Sequence, residues 1–338
     1  MQKSKMSWKK PTIVEIAKLA GVGTASVDRV LNNRKGVKEK TRKSVMDAIQ
    51  KLQIEYSTAK KQINIYLFCE SGETFNEAMK QAVLAANKSY PGVVVSDFYV
   101  NTSELEPTTF AKLISEKGCN AAGVMIIARE HPYINNAIRK LVKANIPVVC
   151  LTTDLPSSRR TAYIGNDQYA AGCVAAQLIG QMLPDKPANI LLIVSASFWS
   201  QQDREMGFRR VLRTEYPYLK LEERVISDET IEMTKEQVLA YFNLRGCPAA
   251  IYNVAGGNRG IADALSQFSN DAKTIFVGHE LTETSRSLLE ESILDYVISH
   301  DIEQEVRQAI EVIENKLSGI NIDPSPSKIL LHTKYNSR

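Results

Sequence analysis

From Ile63 onward, near-continuous apolar runs of strand length alternate with amphipathic stretches of helix length, and this alternation constrains the fold more than any other feature. The apolar runs are INIYLF, VVVSDFYV, AGVMIIA and PVVCLTT, then, after TAYIG, NILLIVS, PAAIYNV and TIFVGHE. Between them the spacing predicts helices over 73–88, 104–117, 133–144, 168–182, 202–215, 261–268 and 284–291. A strand that is apolar on both faces must be covered on both, which a parallel sheet between two helix layers achieves. The segment DLPSSRR, 154–160, parts the runs into two series. The expected body is therefore α/β and two-lobed, with parallel sheets, and its expected pocket is the cleft beyond the carboxyl ends of the strands.

The first 62 residues differ from this body in charge. They hold 15 Lys+Arg against 5 Asp+Glu, a net of +10, whereas the remaining 27 basic and 33 acidic residues give −6. A basic head on an acidic body points to a polyanionic partner for the head, most often nucleic acid, unless the head is only a solvated charged tail. The head also has helical order. Thr12 and Glu15 have the spacing of a capping box, with Pro11 blocking helix upstream. Ile13, Ile16, Ala17 and Ala20 then form one apolar stripe, and Gly21 stops the helix. A second helix opens near Gly23-Thr24, with Val27, Val30 and Leu31 inward and Ala25, Asp28, Arg29 and Asn32 outward. A third, over 38–52, carries Val45, Ala48, Ile49 and Leu52 as the face that closes the core. Two short helices around a glycine-containing turn make a helix-turn-helix, whose second helix lies in the major groove of DNA. Arg29 suits a bidentate contact with guanine, while Thr24 and Ala25 are small enough for thymine methyl groups.

The stretch TIVEIAKLAGVGTASVDRVLNNRKGVKEKTRKSVMDAI resembles the DNA-binding head of the lactose-repressor/galactose-repressor family of bacterial transcription regulators. The resemblance rests on Thr12, Ile16-Ala17, Ala20-Gly21-Val22, Val27-x-Arg29-Val30-Leu31-Asn32 and Thr41-Arg42. It implies base reading by Thr24, Ala25 and Arg29. It implies phosphate contacts from Thr12, Ser26, Asn32 and Thr41, with Ile13 and Gly23 beside the DNA backbone. The chain departs from the family at Gly23, where Ser or Thr is common, and at Asp28, where Ser is usual. An acid near phosphates is repulsive, so Asp28 is expected either to reach a base amino group or to pair with Arg29. Family members usually follow the third helix with a proline-containing turn and a hinge helix whose leucines wedge into the minor groove and kink the DNA. Here residues 53–62 contain neither proline nor leucine. They read as a short linker, with Lys60 and Lys61 as solvated positions or phosphate contacts, and imply weaker DNA bending.

The body resembles the periplasmic-binding-protein-like core of the same family, through Arg204-x-x-Gly207-Phe208, Tyr163-Ile-Gly-Asn166-Asp167, Ala171-Gly172 and Val277-Gly278-His279-Glu280. The resemblance implies three crossings between lobes, near 155–162, 295–300 and 321–327. The expected division is a helix-turn-helix domain over 1–53, a linker over 54–62, and an effector-binding and dimerisation domain over 63–338. Its first lobe would take 63–155 and 299–322, and its second 160–296 and 326–338. Family position puts Asp154 and Arg204 in the cleft, where a carboxylate and a guanidinium can hold sugar hydroxyls, although a surface salt bridge would also suit them. Phe75 and Trp199 are candidates to stack on a sugar ring, with core packing an equal alternative for Trp199. Asn253 and Glu280 close apolar runs and complete the candidate set. Gly256-Gly257-Asn258-Arg259-Gly260 lacks the Lys-Ser/Thr ending of a nucleotide loop and reads as a turn before a helix.

Other classes fit less well. The four histidines have no metal spacing and no GxSxG nucleophile appears, so neither enzyme activity, a metal nor a cofactor is expected. The absence of an apolar run of 18 residues and of a signal-like start implies a cytoplasmic protein that does not span a membrane. Cys69, Cys119, Cys150, Cys173 and Cys247 show no motif and are expected as inert buried thiols. The resulting expectation is a homodimeric, sugar- or polyol-responsive regulator, a repressor by family type, that binds double-stranded operator DNA. The alternative is a sugar-binding receptor of the same core fold without a gene-regulatory role.

Overall fold

The computed structural model describes residues 12–32, 34, 37–58, 62–195, 198–221, 224–268 and 273–337. Pro11, Lys60 and Lys61 lie outside the described residues. The head contains α1 (Ile13–Ala20), α2 (Thr24–Leu31) and α3 (Glu39–Thr58). At the start of α1, Thr12 Oγ1 accepts from Glu15 N at 3.3 Å and Thr12 N donates to Glu15 Oε2 at 2.7 Å, satisfying amides that no helical carbonyl reaches. Gly21 ends the helix at φ 65°, a left-handed conformation that costs glycine nothing. Ile16, Ala17, Val27, Val30, Val45 and Ala48 form the core, with Ile49 and Leu52 partly buried against it. Ile13 and Leu31, expected on the inward stripes, are instead 40% and 50% exposed. Each is a terminal residue of its helix, where so small a core has little left to cover it. The third helix also outruns its expected end at Leu52 and continues to Thr58, because residues 53–58 hold no glycine or proline to stop it. The expected linker over 54–62 is therefore mostly helix.

The body opens with β1 (Ile63–Ser71), α4 (Glu73–Ser89), β2 (Val93–Asn101), α5 (Pro107–Gly118), β3 (Gly123–Ile127), α6 (Pro132–Lys143), β4 (Val148–Leu151) and β5 (Ala162–Ile164). The five strands form one parallel sheet in the order β2-β1-β3-β4-β5. The chain continues through α7 (Gln168–Met182), β6 (Ala188–Val194), α8 (Trp199–Glu215), β7 (Leu219–Leu221), β8 (Val225–Ile226), α9 (Ile231–Arg245), β9 (Ala250–Asn253), α10 (Asn258–Gln267), β10 (Ile275–His279), α11 (Glu283–Glu290), β11 (Tyr296–Ser299), α12 (Ile302–Leu317) and β12 (Leu330–His332). The second sheet runs β12-β11-β10-β9-β6-β7, with β8 also on β6, and is parallel apart from the β11–β12 pair. Each sheet is buried on both faces. Leu67, Met125 and Val149 lie on one side of the first sheet and Phe68, Ile126 and Val148 on the other. Leu192 and Val277 oppose Leu191 and Phe276 in the second.

The first crossing comes later than the expected 155–162. Val149 pairs with Ala162 and Leu151 with Ile164, so the chain stays in the first sheet through β5. After β11 the chain returns through His300-Asp301 to α12, which buries Val306, Ile310 and Ile313 against the first sheet. It crosses again before β12. The helices α9 and α12 were not marked by the spacing of the strands; α12 nonetheless carries a clear stripe of Val306, Ala309, Ile310 and Ile313. Two cysteines, Cys69 and Cys150, are buried, and burial pushes both thiols upward and so away from the reactive thiolate. Cys119 is exposed, and Cys173 and Cys247 are half-buried, so the expectation of five buried thiols is corrected.

Candidate functional site

On the head, Thr24, Ala25 and Arg29 are all exposed on α2, whose inward face is held by Val27 and Val30. Gly23 caps this helix in an extended conformation, with no atom within 4 Å of where a Cβ would stand, so nothing in the head requires glycine there. Asp28 does not pair with Arg29. Its Oδ1 accepts from Asn32 Nδ2 at 2.8 Å and its Oδ2 lies 3.4 Å from Arg34 Nη1. Asn32 stands one helical turn beyond Asp28, on the same face, which is why it takes the carboxylate before Arg29 can. Ser26 and Thr41 are half-buried, and the Thr12 hydroxyl donates to Glu15 Oε2 at 2.7 Å.

In the body, a cavity of about 360 Å³ lies between the carboxyl ends of the two sheets, in the size range of small-molecule pockets. The first sheet contributes Ser71, Asn101, Ile127 and Thr152, each at or just after a strand end. The second contributes the start of α8, the turn after β9 and the end of β10, with Arg204, Val254 and Glu280. Arg204 is 4% exposed and makes three hydrogen bonds. Its Nε donates to Gln168 Oε1 at 2.7 Å, its Nη1 to Val254 O at 3.1 Å and its Nη2 to Glu280 Oε1 at 2.8 Å.

Arg204 reaches these partners because α7 and α8 touch backbone to backbone. A Cβ on Gly172 would lie 1.9 Å from Arg204 O, and one on Gly207 2.0 Å from Tyr169 O. The Arg-x-x-Gly spacing of the sequence thus records a packing requirement beside a binding residue.

Behind Arg204, charge continues across the crossing between sheets. Glu280 Oε2 lies 3.1 Å from His300 Nε2, and His300 Nδ1 lies 2.8 Å from Glu305 Oε1 on α12. These are close ion contacts rather than in-line hydrogen bonds. The second Glu305 oxygen accepts from Thr152 Oγ1 at 3.2 Å. Burial opposes the charge on His300, but the Glu305 and Glu280 carboxylates outweigh it and push its pKa up to about 10. Burial likewise opposes the charge on Glu280, and the His300 and Arg204 cations overcome it and hold the carboxyl well below its usual range. His279, which contacts Tyr252 Oη at 2.7 Å, is driven the other way, first by burial and then by Arg204, and is neutral.

Of the six cleft residues expected from the sequence, Phe75, Arg204 and Glu280 line the cavity. Asp154 does not; it forms a half-buried bidentate pair with Arg160, six residues on. Trp199 also lies off the cavity, packed against the first sheet's outer core, with Nε1 donating to Glu130 Oε2 at 2.8 Å. Asn253 is fully buried and shapes the glycine-rich turn, donating to Gly256 O at 2.8 Å and Asn258 Oδ1 at 2.7 Å. That turn leads directly into α10. Phe198, Glu229, His300 and Glu305 were missed. A histidine between an apolar strand and an amphipathic helix was the available signal for the last two, while Glu229 stands in a stretch with no periodicity.

Glu229 bridges the cavity. Its Oε1 accepts from Ser195 Oγ at 2.7 Å and Gly256 N at 3.2 Å, and its Oε2 accepts from Thr102 Oγ1 of the first lobe at 3.4 Å. Ser200 N also donates across the lobes to Thr153 Oγ1 at 3.2 Å.

Residues 65–321 match the family described as "Periplasmic binding protein domain". The chain belongs to this family. Residues 12–57 of this binding-protein-family chain match "Bacterial regulatory proteins, lacI family", so its head is a lacI-family helix-turn-helix domain. Among relatives, the HTH-type transcriptional repressor PurR of Actinobacillus pleuropneumoniae is 29% identical over 174 residues, 49% of this chain and 50% of that protein. The chain thus spans about half the length of the curated relatives it matches. Among solved structures, the glucose-galactose binding protein GanP of Geobacillus stearothermophilus aligns with a TM-score of 0.72 at 20% identity, covering 82% of this chain and 99% of that one. A solute binding protein from Burkholderia graminis, in complex with D-arabinose, aligns with a TM-score of 0.73 at 18% identity, covering 82% and 96%. At these identities the structural likeness establishes the two-lobed fold of the body. Among the described residues no helix is long and apolar enough to cross a membrane.

Proposed function

We propose that this protein is a DNA-binding transcriptional regulator of the repressor type whose operator affinity is controlled by a small sugar or polyol held between the two lobes. The carrying observation is the joining, on one chain, of a lacI-family head with Thr24, Ala25 and Arg29 exposed on α2 to a binding-protein body with a hydroxyl-lined cleft. Arg29 reads guanine, and Thr24 and Ala25 approach base edges. Thr12, Ser26, Asn32 and Thr41 contact phosphates, with Ile13 and Gly23 beside the backbone. Asp28 acts indirectly, by fixing Asn32 and Arg34. Phe75, Arg204 and Glu280 meet the effector, and the protein is a regulator without turnover. It works in the cytoplasm as a homodimer, so that two heads meet half-sites about one helical turn apart.

The test is selection of bound sequences from random duplex DNA, followed by fluorescence anisotropy on the selected operator. Arg29→Ala is expected to cost about 1–3 kcal/mol on the operator and little on unrelated DNA, so that sequence preference narrows. Operator affinity should also fall steeply with added salt. An Arg29→Ala protein as selective as the parent would remove α2 from the recognition role.

A further inference from the structure

The charge of the cleft is one-sided. Among the described residues six carboxylates line it, Glu73, Glu104, Asp228, Glu229, Glu232 and Glu280, against two guanidiniums, Arg204 and Arg259. Both guanidiniums are already paired with carboxylates. Arg204 gives its Nε, Nη1 and Nη2 to Gln168, Val254 O and Glu280. Arg259 lies 3.1 Å from Asp263 and 4.0 Å from Glu291. His279 is neutral, and no lysine stands among the described lining residues. Three helices open on the cavity without a side-chain cap, at Gly72, Phe198 and Gly257. Their free amides favour negative charge by about half a unit each, too little to cancel the excess of carboxylates.

Glu229 is held by groups from both lobes. Ser195 and Gly256 hold one oxygen, and the other stands where a Cβ on Gly72 would come within 2.8 Å of it, so this glycine leaves room for the carboxylate. Its backbone has a φ of 70°, a left-handed conformation that strains a residue with a Cβ. Such strain persists only where the surroundings over-determine it.

We infer that the cleft accepts an uncharged or amine-bearing polyhydroxy compound and rejects its phosphate esters and carboxylates, with Glu229 as the residue that sets this selectivity. The inference rests on the effector-binding reading above and adds to it the charge class of the ligand. Hydroxyl groups donate to the lining carboxylates and accept from Thr153 and Ser200, whereas a phosphate adds negative charge beside carboxylates that outnumber the lining cations.

The experiment is thermal-shift screening of the full chain, with calorimetry on each hit. The neutral probes are D-glucose, D-galactose, D-allose and D-arabinose. The charged probes are the corresponding sugar phosphates, glucuronate, galacturonate, glucosamine and galactosamine. At least one neutral or amino sugar is expected to bind, with its phosphate or carboxylate counterpart weaker by roughly 100-fold. In Glu229→Gln that gap should narrow by roughly tenfold, and 0.5 M rather than 0.05 M salt should narrow it in the unsubstituted protein, about 4 Å against 13 Å of screening length. An anionic probe binding as tightly as its neutral parent overturns the inference and leaves the effector reading in place. A gap unmoved in a folded Glu229→Gln removes Glu229 from the selectivity. If no probe binds, the sugar-effector reading itself fails, and the inference with it.

Discussion

Gly207→Ala is expected to lower the stability of the body by about 3 kcal/mol or more and to abolish effector binding even where the protein remains folded. The added methyl would sit 2.0 Å from Tyr169 O and 3.1 Å from Cys173 N, both backbone atoms of α7 that no rotamer change can move. Alanine in mid-helix gains at most about 1 kcal/mol in propensity over glycine, whereas forcing atoms into a filled contact typically costs about 1–3 kcal/mol and more where the backbone itself must yield. The clash therefore wins. Separating α8 from α7 carries Arg204 away from Gln168 on the facing helix, so the guanidinium loses its 2.7 Å contact along with its aim at Glu280. Gly172→Ala should act alike, since its methyl would meet Arg204 O at 1.9 Å. Urea denaturation measures the first effect and calorimetry with a bound sugar the second. A Gly207→Ala protein of unchanged midpoint and affinity would mean that the two helices are not in backbone contact.

The second large effect belongs to His300. Replacing it with glutamine is expected to destabilise the body by about 3–5 kcal/mol, the usual cost of leaving a buried charge without its partner. Glu305 is fully buried, and its remaining partner among the described residues is a single threonine hydroxyl, Thr152 Oγ1. The groups facing His300 are Glu280 and His279 from β10 and its end, Arg204 from α8 behind Glu280, and Glu305 from α12. Because the folded pKa of His300 stands at about 10 against an ordinary 6.5, its contribution is complete below about pH 6.5 and declines as pH rises toward 10. Glu280 has the opposite sign: its depressed carboxyl contributes above about pH 4.5 and is lost as pH falls further. Chemical denaturation across pH 5 to 10 should therefore show falling stability above pH 6.5, and His300→Gln should flatten that limb. An equal slope in both proteins would place the pH dependence elsewhere.

The strands and most helices of the body were legible because continuous apolar runs leave little choice but a covered parallel sheet. The head was legible for a different reason: Thr12, Glu15 and Gly21 are chemical stop and start signals for α1 that act within four residues of sequence. What escaped the sequence depended on contacts that strand and helix periodicity does not encode. Asp154 was nominated by family position, yet Arg160 lies close enough along the loop to claim it in a bidentate pair. Trp199 was nominated as an aromatic near a strand end, but α8 starts one turn earlier than its spacing suggested and turns the indole onto Glu130. Glu305 lies five residues after His300, in the first turn of α12, but that the turn folds back to bring its carboxylate against the imidazole is set by the crossing into the first lobe. Glu229 needed Thr102, Ser195 and Gly256, from three separate loops, before its role in the cleft could be seen.

The length of α3 has a mechanical consequence. With helix continuing to Thr58 and strand beginning at Ile63, only four residues separate the head from the first sheet. Five chain steps span at most about 18 Å when fully extended. The head is thus on a short leash, anchored to the first strand of the lobe that α12 and the His300 crossing join to the cleft. In a dimer, the distance between two recognition helices is bounded by the distance between the two anchoring strands plus two such leashes and the span of each head from Thr58 to α2. A lobe rotation that separates the anchors beyond that sum would make simultaneous engagement of both half-sites geometrically impossible, and the second head would lose the high effective concentration that the first provides.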